Sequence, residues 1–249
     1  MTSTITILGD GALGRAIAAA AGERGDVVSI LGRPASGRHD LASIAGSDTV
    51  IDASRPEAVA SNVTIALAAG VRRFVIATTG WADDRERIDA ALRRLDATAV
   101  AASNLALGAA IFLRLVDDAA RLAAALGGFE PSVVEWHRRA KADRPSGTAR
   151  ELVHRLDAHL PIDLEEVAVV RSGSMPGMHS VALDGPSETI ELRLTARDRS
   201  GYAAGALAAI DWLIAAPRPA GFVPFDRVVD DLVAVRPTAR PAATANAAA

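Results

Sequence analysis

Residues 135–149 read E-W-H-R-R-A-K-A-D-R-P-S-G-T-A. One histidine, one lysine and three arginines fall in this stretch, which ends in Pro-Ser-Gly-Thr at the head of a helical pattern. Strand residues two apart share a face, so Glu135 and His137 project together. His137 can give or take a proton near neutral pH, and Glu135 can orient its ring. Lys141 follows beyond the strand end, where a loop can fold it back as a fixed cation or proton donor. Ser146 or Thr148 can cap the helix, and Thr148 with Glu151 forms a T-x-x-E capping box. Gly147 leaves the backbone bare, so a carboxylate can approach the N–H groups at the helix start. Cations beside a helix N-terminus suit a small anion with more than one negative charge.

Singly, each feature has a plainer use. A strand-end histidine is often structural, and a basic run is usually a solvated face. What precedes the stretch changes the weighing. Residues 4–8 read as a buried strand, followed by Gly9-Asp10-Gly11-Ala12-Leu13-Gly14, an alanine-rich helix and a second strand at 27–31. That order is the opening of a dinucleotide-binding βαβ unit. Gly9 permits the tight turn, Gly11 the close approach of a pyrophosphate, and Gly14 the packing of helix on strand. An NAD-specific site usually has Asp or Glu about 20 residues further on. Gly32-Arg33 stands there instead. Arg33, with Arg38 as helper, suits a 2′-phosphate, so NADPH is the expected cofactor and NADH a second acceptable one.

Three further strands are expected at 48–54, 72–79 and 97–103, alternating with helices at 57–69 and 83–95. Gly9, Ser54, Thr78, Thr79, Ser103 and Asn104 stand at strand carboxyl ends, where such sheets bind ligands. A long helix over 107–126 leads to the strand that carries Glu135 and His137. Strands at 166–170, 179–183 and 188–196, broken by Gly and Pro, predict a mainly antiparallel sheet. Helices at 203–216 and 225–234 follow. The expected fold is α/β: a Rossmann-like domain at 1–106, completed by 212–236, and an α+β substrate-binding and oligomerisation domain at 107–211. Residues 237–249 are expected to be a disordered tail.

Composition narrows the function. Lys plus Arg number 27 against 30 acidic residues, a net charge of −3, which argues against nucleic acid as a partner. There is no cysteine, which removes disulfides, thiol catalysis and iron–sulfur ligation. The five histidines show no ligand spacing, so no metal site is expected. No apolar run approaches the ~20 residues of a membrane span. The strand pattern begins too early to leave room for a signal peptide. A cytoplasmic protein is expected.

Residues 135–149 resemble the dihydrodipicolinate reductase signature E-x-H-H-x-x-K-x-D-x-P-S-G-T-A. Asp52-Ala-Ser-Arg-Pro-Glu57 resembles that family's D-F-T-x-P-E, and Thr78-Thr79-Gly80-Trp81 its T-T-G-F. Ser103-Asn104-Leu105 resembles its P-N-F, and Arg171-Ser-Gly173 with Gly177-Met-His179 its R-x-G-x-x-G-x-H. The likeness runs in order from about residue 5 to 214. It implies NAD(P)H-dependent reduction of 4-hydroxy-tetrahydrodipicolinate to tetrahydrodipicolinate, in a homotetramer. His137 is then the acid/base residue and Lys141 the partner proton donor. Ser146, Gly147 and Thr148 bind a substrate carboxylate. Ala77, Thr78, Thr79, Ala102, Ser103, Asn104 and Leu105 lie along the nicotinamide. The family's second histidine is Arg138 here, which can hold a carboxylate by two parallel hydrogen bonds. Ala77 stands where the family has glycine. Arg138 keeps open a related reductase acting on another cyclic imine or dicarboxylate. A non-catalytic NADPH-binding module is the alternative of a different class, and it needs neither His137 nor Lys141.

Overall fold

The computed structural model describes residues 2–235. The tail expected at 237–249 lies outside the described residues. The chain opens β1 (Thr4–Leu8), α1 (Ala12–Glu23), β2 (Val27–Leu31), β3 (Thr49–Asp52), α2 (Pro56–Ala68), β4 (Arg73–Ile76), α3 (Arg85–Arg94) and β5 (Thr98–Ala101). β1 and β3 are short apolar runs buried almost throughout. That pattern belongs to strands covered on both faces, as in parallel sheets.

Then come α4 (Leu107–Leu126), β6 (Glu130–His137), α5 (Gly147–Asp157), β7 (Ala168–Arg171), β8 (Gly177–Asp184), β9 (Thr189–Ala196), α6 (Ser200–Ala215), β10 (Gly221–Pro224) and α7 (Phe225–Val235). The first sheet is parallel, in the order β10-β5-β4-β3-β1-β2. β2 and β3 leave β1 on opposite sides, so the crevice at the carboxyl end of β1 is the topological switch point.

Sequence periodicity predicts five strands in this sheet, and it has six. The addition is β10, Gly-Phe-Val-Pro, paired with β5 from Gly221↔Thr98 to Pro224↔Ala101. Four residues framed by Gly and Pro give no alternation to read, and proline is tolerated at an edge. α6 (Ser200–Ala215) runs through the division expected at residue 211. From Ser200 onward α6 belongs to the first core, where Ala203, Ala206, Ala209 and Ile210 are buried with Ile5, Ile7, Ile17 and Ala21. A Cβ on Gly205 would lie only 1.6 Å from the Leu105 carbonyl oxygen, so α6 packs directly on the link between β5 and α4.

The second sheet runs β7-β6-β8-β9. β6–β8 and β8–β9 are antiparallel, while β6–β7 is parallel because α5 crosses between them. Val133, Val181 and Leu183 bury one face against Phe112, Val116, Ala120, Leu152 and Leu156 of α4 and α5. Two arginines lock α7 to this layer: Arg155 Nη2 lies 2.6 Å from Asp226 Oδ2, and Arg114 Nη2 lies 2.7 Å from Asp230 Oδ1.

Candidate active site

Strand register brings together charges that are far apart in sequence. Glu135 on β6 faces His179 across the antiparallel pair, and His137 faces Arg171 across the parallel pair. Glu135 has no exposed side-chain surface and Arg171 only 1%. Arg171 Nη2 donates to Glu135 Oε1 at 2.6 Å and to the Asp143 carbonyl at 2.6 Å. The Ser146 N–H donates to both carboxylate oxygens, at 3.1 and 3.2 Å. His179 Nε2 lies 3.0 Å from Ser146 Oγ and 3.5 Å from Glu135 Oε2. Burial opposes the charge on Glu135, but His179, Ser146 and Arg171 together outweigh it and hold its carboxyl well below the usual range. A buried carboxylate so paired ties the strand to the head of α5.

That network revises two expectations. Glu135 is not hydrogen-bonded to His137: its Oε2 lies 3.6 Å from Nδ1, a buried atom with no partner. Nor is His137 poised near neutrality. Burial pushes its pKa down to about 4, with help from His179 and against the pull of Glu135. The ring is therefore neutral at pH 7. The helix cap is Ser146, whose Oγ accepts from the Ala149 N–H at 3.2 Å, while Glu151 of the expected capping box pairs with Arg155 at 2.9 Å instead.

The loop from β6 to α5 presents the cation. Lys141 Nζ lies 2.7 Å from Asp143 Oδ1. Burial works against the charge of Asp143, yet Lys141 and the Gly147 N–H hold its carboxyl below the ordinary value. The Lys141 ammonium is thus already paired with a carboxylate of its own loop. The Arg139 N–H donates to the Gly173 carbonyl at 3.0 Å, which anchors the loop to the turn before β8.

The facing wall comes from the first domain. Gly9 has φ +121°, and a Cβ there would lie 2.3 Å from the Ala53 carbonyl oxygen. A Cβ on Gly14 would lie 2.0 Å from the Gly9 carbonyl oxygen, so the helix sits tight on the turn. Gly11 meets nothing within 4 Å and caps α1 without a side chain. Two glycines are thus consumed by packing, while the third leaves bare backbone beside the head of a 12-residue helix. This cradle fits the pyrophosphate of a dinucleotide. Gly9, Asp10, Gly11, Ala12 and Gly14 form it, with Arg33 exposed just past the end of β2.

Between the walls lies a cleft of about 640 Å³. His137, Arg138, Lys141, Ser146, Gly147 and Thr148 line one side, and Leu13, Ala77, Thr79, Ala102, Ser103, Asn104 and Leu105 the other. Asn104 Nδ2 donates to Thr148 Oγ1 at 3.2 Å, which couples the two walls. Thr78 is the exception among the residues expected along the nicotinamide. Its Oγ1 is buried, donates to Asp52 Oδ1 at 2.5 Å and accepts from the Ser54 N–H at 2.9 Å. It braces β3 against β4 and turns its side chain away from the cleft.

Several lining residues carried no signal in the sequence. Arg197, Arg199 and Tyr202 close the cleft from the junction of β9 and α6, and Met175 and Pro176 from the turn before β8. Only the cationic spacing at 197 and 199, just past a strand, could have flagged them. The expectation of no metal site also meets a new fact: Glu135, His137 and His179 offer ligand atoms within 4.8 Å of one another. Arg171 and Ser146 already engage two of those donors. No helix among the described residues is long and apolar enough to cross a membrane.

Comparison with known proteins agrees in sequence and in fold. Residues 4–105 match the family described as dihydrodipicolinate reductase, N-terminus, and residues 108–229 its C-terminus. A 4-hydroxy-tetrahydrodipicolinate reductase of Natronomonas pharaonis is 34% identical over 254 residues, covering 91% of this chain and all of the relative. The one from Methanospirillum hungatei is 35% identical, covering 70% of this chain and 73% of the relative. Among solved structures, the dipicolinate-bound dihydrodipicolinate reductase of Paenisporosarcina sp. TG-14 shares the fold with a TM-score of 0.72 at 18% identity. It covers 90% of this chain and 98% of that one. On these matches the chain belongs to the dihydrodipicolinate reductase family, an NAD(P)H-dependent oxidoreductase family.

Proposed function

We propose that the protein reduces 4-hydroxy-tetrahydrodipicolinate to tetrahydrodipicolinate in lysine and diaminopimelate biosynthesis, with NADPH favoured over NADH. Family membership supports the chemistry. One observation carries the substrate side: the Lys141 ammonium, presented at the edge of the cleft beside the head of α5, already holds a carboxylate, that of Asp143. A substrate carboxylate takes over that place, held by the Gly147 and Thr148 N–H groups and the positive end of α5. Arg138, on the same side of the cleft, meets the second carboxylate.

The reaction adds one hydride and one proton and releases the hydroxyl as water. The reduced nicotinamide supplies the hydride when bound. Lys141 holds the proton to be given. His137, neutral at pH 7, orients the ligand and accepts hydrogen bonds. A dianionic ligand beside it raises its proton affinity and brings it into the proton transfer. Ala77, Thr79 and Ala102–Leu105 keep the reacting face dry and flat. Arg33, with Arg38, meets a 2′-phosphate.

The first domain and the elements from Ser200 onward serve the cofactor, and the second sheet serves substrate and subunit contacts. Trp136 and Val170 pair across the outer face of that sheet and are exposed at 36% and 39%. That face is where a cytoplasmic homotetramer assembles. The decisive assay follows oxidation of NADPH and of NADH with freshly generated 4-hydroxy-tetrahydrodipicolinate. Turnover with a higher kcat/KM for NADPH supports the whole reading. Tight NADPH binding without turnover points to the related-substrate reading that Arg138 motivates.

A further inference from the structure

Dinucleotide-binding chains of this architecture commonly place an Asp or Glu at the end of β2, where it receives the hydroxyls of the adenosine ribose. Here that end is Gly32, followed by Arg33. A carboxylate is nonetheless in place. A Cβ built on Gly32 would lie 3.0 Å from Asp10 Oδ2, 3.1 Å from Asp10 Cγ and 3.5 Å from Asp10 Oδ1. An aspartate grown from position 32 would carry its carboxyl carbon about 1.5 Å beyond that Cβ. The Asp10 carboxylate therefore fills the space that a side chain at 32 would begin to occupy.

The arrangement is held from both sides. The Gly9 N–H donates to the Leu31 carbonyl at 2.8 Å, which pins the turn to the end of β2. Arg15 Nε donates to the Asp10 carbonyl at 2.7 Å, which fixes the next residue on the first turn of α1. The Asp10 carboxylate is exposed and accepts no hydrogen bond among the described residues. The glycine at 32 has its reason here too, since any larger residue would push Asp10 aside.

We propose that Asp10 is a specificity-determining residue that receives the adenosine ribose hydroxyls, sent from the glycine turn rather than from the end of β2. The inference rests on the reductase reading above and limits its cofactor preference. A ribose diol donates to a carboxylate, whereas a 2′-phosphate brings negative charge against it. Arg33 pulls towards the phosphate, and Asp10 keeps NADH acceptable.

The test is calorimetric titration of the purified full-length protein with NADH and with NADPH, in the absence of substrate. Asp10→Asn weakens NADH binding about tenfold, the scale of a hydrogen bond to a charged group, and leaves NADPH binding equal or tighter. Asp10→Ser combined with Gly32→Asp restores the NADH affinity, because the carboxylate returns from the other backbone. Equal shifts for the two cofactors, or no shift in either, would overturn the proposal. So would a double variant no better than Asp10→Ser alone. Affinities that change as expected, in a protein that does not turn over 4-hydroxy-tetrahydrodipicolinate, sink the substrate reading and leave Asp10 its role. Normal turnover with an unchanged affinity ratio sinks Asp10 alone.

Discussion

In the proposed function the two walls of the cleft recognise substrate and cofactor by opposite means. The substrate wall is crowded and charged: Glu135, Arg171, His179 and Ser146 form a buried network, and Lys141 stands in front of it. The cofactor wall works by what is missing. Gly9 and Gly14 have no room for a Cβ, and Gly11 leaves the backbone open. A small dicarboxylate offers only charge and a few oxygens, so its site must hold charges in fixed positions before the ligand arrives. A dinucleotide offers a long surface, so its site needs shape and N–H groups more than side chains. The first wall should therefore fail when a charge is removed, and the second when a methyl is added.

The largest effect is expected from Arg171→Ala. Removing one partner of a buried ion pair costs about 3–5 kcal/mol, because the remaining charge is left uncompensated. Chemical denaturation followed by circular dichroism measures this. A loss below about 1 kcal/mol would mean that water reaches Glu135. Glu135→Gln, which keeps the shape, should separate the charge from the packing.

Next come His137→Gln and Lys141→Ala. Each should lower kcat by about 10²-fold or more, the usual scale for losing a general acid or base, while NADPH affinity stays within twofold. Unchanged turnover in both would remove the mechanism. A parallel loss of cofactor affinity would show that the walls are not separable.

On the cofactor wall the contrast lies between two glycines of one turn. Gly14→Ala forces a methyl against the Gly9 carbonyl oxygen and should cost about 1–3 kcal/mol of stability. Gly11→Ala meets open space, so stability should hold while both NADH and NADPH bind more weakly. If Gly11→Ala leaves affinity untouched, the pyrophosphate does not lie on that backbone.

The pH dependence of folding tests the substrate wall in a different way. His137 has an ordinary value of 6.5 and a folded value of about 4. Between these the unfolded chain holds the extra proton, so the neutral ring's contribution is complete above about pH 6.5 and is lost as pH falls towards 4. The slope approaches about 1.4 kcal/mol per pH unit for one proton. Glu135, whose folded value is depressed, adds a second loss as pH drops below its ordinary 4.5. Thermal melts across this range should flatten above pH 5 in His137→Gln. A wild-type profile already flat there would contradict the burial of the ring.

Much of this was legible in the sequence, for local reasons. The glycine turn, the pairing of Glu135 and His137 on one strand face, and the helix start at Ser146-Gly147-Thr148 depend on neighbours within a few residues. Backbone sterics and period-two alternation encode such features directly. The long α4 could be read from its apolar spacing. β10 could not, because four residues between Gly221 and Pro224 become a strand only by pairing with β5.

Other features depend on register and packing between distant segments. Nothing in the spacing of residues 135, 171 and 179 says that they share one buried carboxylate. That follows from the pairing of β6 with β7 and β8. The loss of Thr78 to Asp52, the departure of the His137 pKa from neutrality and the Asp10 carboxylate beside Gly32 are of the same kind. The sequence by itself determined which chemical groups are available and on which local elements they ride. Only the tertiary structure decided which charges are desolvated, which are paired and which face the cleft, because burial and charge–charge distance are set by chain segments that meet only when folded.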